Sequence, residues 1–177
     1  MTSRERLQAV LQGDVPDCVP VCPDISNMVP ARLTGKSFWD IYVYQDPPLW
    51  KAHIDAVKYF DIDGGFELYD FGDIFDDLDE YGDLFGAHGP RWEMRIVHRN
   101  KDESFVTRDF DRVTETWSKF VMVHTRDNPP STLVKPETLG LPDVPTTWEP
   151  IQGAKIWPTG MTLWKQIKRE MGDHGLV

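Results

Sequence analysis

Two short polar clusters carry the side chains best suited to hold a small substrate. The first is Pro23-Asp24-Ile25-Ser26-Asn27-Met28, which follows the apolar run Val19-Pro20-Val21-Cys22; the second, Asp70-Phe71-Gly72-Asp73, follows Phe66-Glu67-Leu68-Tyr69. Carboxylates accept hydrogen bonds or protons, while an amide and a phenol both donate and accept. If the two apolar runs are neighbouring parallel strands, their C-terminal ends open onto one rim, where open sheets and barrels place ligands. Asp24, Asn27 and Met28 from one run, and Tyr69, Asp70 and Asp73 from the other, then face one cavity. The competing reading is that an Asp at the end of a strand caps the helix or turn that follows it.

Other arrangements fail on chemistry. The stretch from Asp70 to Asp83 holds seven carboxylates, and Asp77-Leu78-Asp79-Glu80-Tyr81-Gly82 copies the start of a calcium loop. Its fifth position is Tyr81, however, and the bidentate acid due at the twelfth is His88. The run is read as a solvated acidic surface or a local helix N-terminus. Cys18 and Cys22 would be half of a zinc site, but there is no second Cys pair, and the histidines at 53, 88, 98, 124 and 174 lack ligand spacing. No metal ligand is assigned within the chain; Cys22 reads as a small core residue and Cys18 as incidental. A nucleophile elbow, a phosphate-cradling loop and a dinucleotide fingerprint are all missing.

The elements that must position the clusters follow from periodicity. Thr2-Ser3-Arg4-Glu5 matches a capping box for a helix with Leu7, Val10 and Leu11 on one stripe and Gly13 at its end. Ser37 caps a helical turn, and PPLWKAHIDAVKYF predicts a helix with Trp50, Ile54, Val57 and Phe60 on one face. The order helix, strand, helix, strand up to residue 69 is the grammar of a parallel α/β fold. EMRIVHR, SFVTRDF and KFVMVHT then predict an antiparallel hairpin or meander over 91–127. Residues 128–160 hold seven of the fourteen prolines and predict an irregular excursion. A last amphipathic helix carries Leu163, Trp164, Ile167 and Met171, and Leu176-Val177 reads as the first step of a strand.

At 177 residues the chain is expected to be one domain. A net charge of −10 without clustered Lys and Arg argues against nucleic acid. There is no apolar run long enough for a membrane span and no signal-peptide pattern, so a cytoplasmic location is expected.

The opening MTSRERLQAVLQGDVPDCVPV, the block WKAHIDAVKYFDIDGGFELYDFGD and the β-rich stretch after it resemble the N-terminal half of the uroporphyrinogen decarboxylase superfamily. The superfamily also includes zinc-dependent methylcobamide:coenzyme M methyltransferases and other corrinoid-linked methyltransferases. The resemblance implies an N-terminal portion of a (β/α)8 TIM barrel, with 91–127 as a β-rich insertion and further strands beyond Leu176-Val177. It places Asp70 where the decarboxylases hold pyrrole N–H groups, making it the candidate catalytic residue. The two arginines with which those enzymes hold substrate carboxylates are missing from 20–28, and Arg32 is displaced.

The methyltransferase branch is therefore the leading expectation, with Asp24, Asn27, Met28, Tyr69 and Asp73 as substrate contacts. Zinc and methylcobalamin are cofactors implied only for the complete family member, the latter borne by a partner corrinoid protein. The isolated chain is expected to be inactive and to pair with a missing C-terminal half or a second copy, because an interrupted barrel leaves 19–22 or 66–69 as an open edge. A tetrapyrrole decarboxylase and a non-catalytic binding module or remnant are the alternatives.

Overall fold

The computed structural model describes residues 1–65, 92–100, 104–158 and 160–177. Helix α1 (Ser3–Gln12) begins with the capping box: the Glu5 N–H donates to the Thr2 hydroxyl, and the Thr2 N–H donates to the Glu5 carboxylate at 2.8 Å. Gly13 ends it at φ 82°, in the left-handed region that glycine enters without a steric penalty. Helix α2 (Met28–Leu33) is short, and α3 (Phe38–Tyr42) repeats the capping box through Ser37 and Asp40. Helix α4 (Leu49–Phe60) follows Pro48 and buries Trp50, Ile54 and Val57. Phe60 departs from that expectation: it is 49% exposed. At 3.6 residues per turn it falls roughly 80° off the stripe centred on Trp50 and Val57.

Beyond α4, strand β1 (Gly64–Gly65) is the first extended pair. The main sheet comes later: β2 (Trp92–Arg99), β3 (Ser104–Asp111), β4 (Thr116–Trp117), β5 (Val121–Thr125), β6 (Ser131–Val134) and β7 (Glu149–Pro150). Its order is β6-β5-β3-β2-β7, with β4 beside β3, and every pairing is antiparallel. Helix α5 (Gly160–Met171) and β8 (Gly175–Leu176) complete the chain, and β8 pairs in parallel with β1.

The partial (β/α)8 barrel is overturned by this architecture. Parallel barrel strands need crossovers of about a dozen residues or more, usually a helix. Here β2, β3 and β5 succeed one another through connections too short for one, so they fold back antiparallel. The strands within 91–127, β2 to β5, are not an insertion in a barrel but the centre of the principal sheet. The run 19–22 is not a strand either. Val19 is 83% exposed and Cys22, expected in the core, is exposed as well. Pro20 and Pro23 remove backbone donors on either side of Val21-Cys22, and an apolar run that cannot donate makes a poor strand. The open edge expected of 19–22 goes with it; residues 66–69 lie outside the described residues.

Two cores result. Helices α4 and α5 pack Trp50, Ile54 and Val57 against Leu163, Ile167 and Met171, with Ile25 and Trp157 on the periphery. Val43, Ile96 and Phe105 join α3 to one face of the sheet, with Trp39 tilted on Phe105 at 5.8 Å between ring centroids. The Pro-rich segment supplies both edge strands, β6 and β7, so 135–148 straps across the opposite face between the two edges. Edge positions suit this segment because proline cannot donate to a ladder. Among the described residues no helix is long and apolar enough to cross a membrane.

Candidate functional site

The loop bearing Asp24 and Asn27 is held at both ends. At its start the Val21 N–H donates to Asp63 Oδ2 at 2.8 Å, and the Asp63 N–H returns a hydrogen bond to the Val21 carbonyl at 3.0 Å. Asp63 is buried just ahead of β1 and also accepts from Arg6 Nη1 at 3.2 Å; Arg6 Nε donates to Asp17 at 2.7 Å. Burial pushes the Asp63 carboxyl up, but the donors of Val21, Ser3 and Arg6 outweigh it and hold the pKa below the ordinary value. Helix α1, the loop and β1 are thus pinned through one carboxylate. Further along, Ile25 packs on the α4/α5 core, and the Ser26 and Asn27 carbonyls accept the first hydrogen bonds of α2, from Val29 and Ala31.

Asn27 then turns its side chain to α4. Its Oδ1 lies 2.8 Å from His53 Nε2, both residues half-buried. With the amide oxygen as acceptor, Nε2 carries the imidazole proton. The Asn27 amide NH2 then faces away from the ring as a fixed pair of donors, suited to a carboxylate, sulfonate or carbonyl oxygen. Asp24, three residues earlier, is exposed and offers an acceptor; Met28, exposed at the start of α2, offers a polarizable apolar surface. Tyr69, Asp70 and Asp73 lie outside the described residues, and with them the rim that Asp24 and Asp70 were expected to share.

His53 was not singled out by sequence reasoning. It lies on the flank of the Trp50, Ile54 and Val57 stripe, and its partner is 26 residues away, so no local spacing links them. The zinc implied by the resemblance needs three or four grouped ligands. Among the described residues no three His, Cys, Asp or Glu side chains are so grouped, and Cys18 and Cys22 are both exposed. These residues do not fit a zinc cage.

Comparison of the chain with family models, with curated proteins and with solved structures gives no match.

Proposed function

We propose that the loop 22–27, with His53 behind it, binds the anionic head of a small methyl-accepting thiol in a methyltransferase-like protein of the uroporphyrinogen decarboxylase superfamily. The observation that carries this reading is the Asn27–His53 hydrogen bond of 2.8 Å, which holds an amide donor pair on an anchored loop. The sequence resemblance supplies the reaction class. In that reading the methyl donor is a methylcobalamin presented by a partner corrinoid protein, and it is a substrate rather than a resident group. This chain's residues bind and orient: Asn27 donates to the acceptor's sulfonate or carboxylate, and His53 fixes the amide. A porphyrinogen substrate is less well served. Its several propionates call for cations, the loop has none, and Arg32 donates instead to the Asp127 carbonyl at 3.1 Å.

Calorimetric titration with 2-mercaptoethanesulfonate and, separately, with uroporphyrin tests the reading. Saturable binding of the thiol sulfonate is expected. Asn27→Asp still accepts from His53 but replaces the donor pair with a negative charge, so it should weaken binding by about tenfold or more. Binding of uroporphyrin alone would transfer the site to the decarboxylase reading, and binding of neither would leave a non-catalytic module.

A further inference from the structure

A cleft of about 160 Å³ lies between the strap and the sheet, with Val97, Val121, Leu141 and Pro142 among its apolar walls and Arg108 and Thr146 among its polar lining. The register of β2 on β3 shifts between Ile96 and His98, and Val97 sits at that irregularity, a feature that re-aims side chains beside many sites. Arg108 is the unusual member. Its side chain is only 4% exposed, its Nε donates to the Ser118 carbonyl at 2.6 Å, and its Nη1 donates to the Asp143 carbonyl. Nη2 makes no hydrogen bond among the described residues, where the only carboxylate oxygen within ion-pair range of Arg108 is Asp143 Oδ1. That oxygen is 3.9 Å away, on a side chain 91% exposed.

Its cross-strand neighbour shows what compensation looks like. Arg95 stands directly opposite Arg108 in the ladder. It is paired with Glu93 at 2.6 Å and sandwiched by the rings of Phe110 and Trp148, each 3.8 Å from the guanidinium. Two like charges face to face are unfavourable, and a buried cation without a close counter-ion is costly. Burial is the largest influence on Arg108 and lowers its pKa, with the more distant Asp143 and Glu137 opposing it. A second cleft of about 200 Å³ shares Val97, His98 and Thr147 with the first, so the space continues along the strap.

We propose that the cleft under the strap binds a compact apolar monocarboxylate, its carboxylate on Arg108 and its body against Val97, Val121, Leu141 and Pro142. A cavity of about 150 Å³ accommodates benzene, so the volume suits a benzoate-sized or branched-chain acid. One guanidinium group matches one negative charge. A phosphate dianion would find no second arginine or lysine in the lining, because the facing Arg95 is held by Glu93. The site lies on the sheet and is independent of the Asn27–His53 reading.

The test uses the whole chain, titrated with benzoate, its neutral isostere benzamide, and inorganic phosphate, and followed by backbone amide NMR. Benzoate should bind saturably with shifts centred on Val97, His98, Thr146 and Thr147, and benzamide about tenfold or more weaker. Arg108→Met should abolish binding. Because Arg108 also clamps two carbonyls, Val97→Phe serves as a second variant that fills the cleft and keeps the cation, and it should weaken benzoate by a similar factor. Equal affinity for benzamide, preference for phosphate, or no saturable shift in the cleft would overturn the proposal, the last leaving Arg108 as a clamp for the strap.

Discussion

Asp63 joins helix α1, the candidate loop and β1, so its removal should be felt by all three. Asp63→Ala takes the acceptor from the Val21 N–H at 2.8 Å, from Arg6 at 3.2 Å and from Ser3. Hydrogen bonds to a charged partner contribute about 1.5–3 kcal/mol each, but Arg6 keeps Asp17 and is solvent-screened, so the loss rests on the Val21 and Ser3 donors. The expected loss is about 2–3 kcal/mol, or about 5–10 °C in Tm for a domain of this size. The sign of the pH dependence follows from the lowered carboxyl. Its stabilisation is fully present above the unfolded value of about 3.9 and is lost as pH falls through the folded value. Urea titrations from pH 7 down to pH 3 should therefore show a steeper acid decline for the native chain than for Asp63→Asn. The decline should not vanish in the variant, because Asp17, Asp46 and Glu93 are also held low by their cationic partners. A loss below about 0.5 kcal/mol in Asp63→Ala, with an unchanged acid limb in Asp63→Asn, would refute the pinning role.

Two further outcomes test the packing that carries the site. Ile167→Ala, fully buried between α4 and α5, should cost about 2–4 kcal/mol with an unchanged denaturant slope, and a cost under about 1 kcal/mol would mean the helices are not docked as described. Gly175→Ala would set a Cβ 1.8 Å from the Gly64 carbonyl oxygen, so the β1–β8 pair must move apart; a loss of about 1–3 kcal/mol in thermal unfolding is expected, and an unchanged Tm would contradict that close approach.

Local chemistry made much of this fold readable. The Thr2/Glu5 and Ser37/Asp40 boxes, Gly13, and the stripes Trp50-Ile54-Val57 and Leu163-Ile167-Met171 depend on residues within a few turns of one another. What misled was extrapolation from order to topology. An alternation of helix and apolar run suggested a repeating parallel unit, yet between residues 1 and 65 only Gly64–Gly65 is strand, and the large sheet forms later from short antiparallel connections. A four-residue apolar run such as 19–22 is equally compatible with exposed extended chain when prolines break its donors. The candidate site divides the same way. Asp24, Asn27 and Met28 stood out because they follow an apolar run, whereas His53 enters only through the docking of α4 beneath the loop. Arg108 lies within the predicted strand SFVTRDF and nothing local marks it; its burial comes from a strap that begins more than twenty residues later.

That Asn27, held by His53, donates to a ligand can be checked by following the Asn27 side-chain NH2 and the His53 imidazole in ¹⁵N-correlated NMR spectra as 2-mercaptoethanesulfonate is added. The Asn27 amide resonances should shift saturably while His53 keeps its proton on Nε2. Resonances of Asn27 and His53 that stay fixed at a concentration of thiol sulfonate where calorimetry shows saturation elsewhere, or where it shows no binding, would contradict that role.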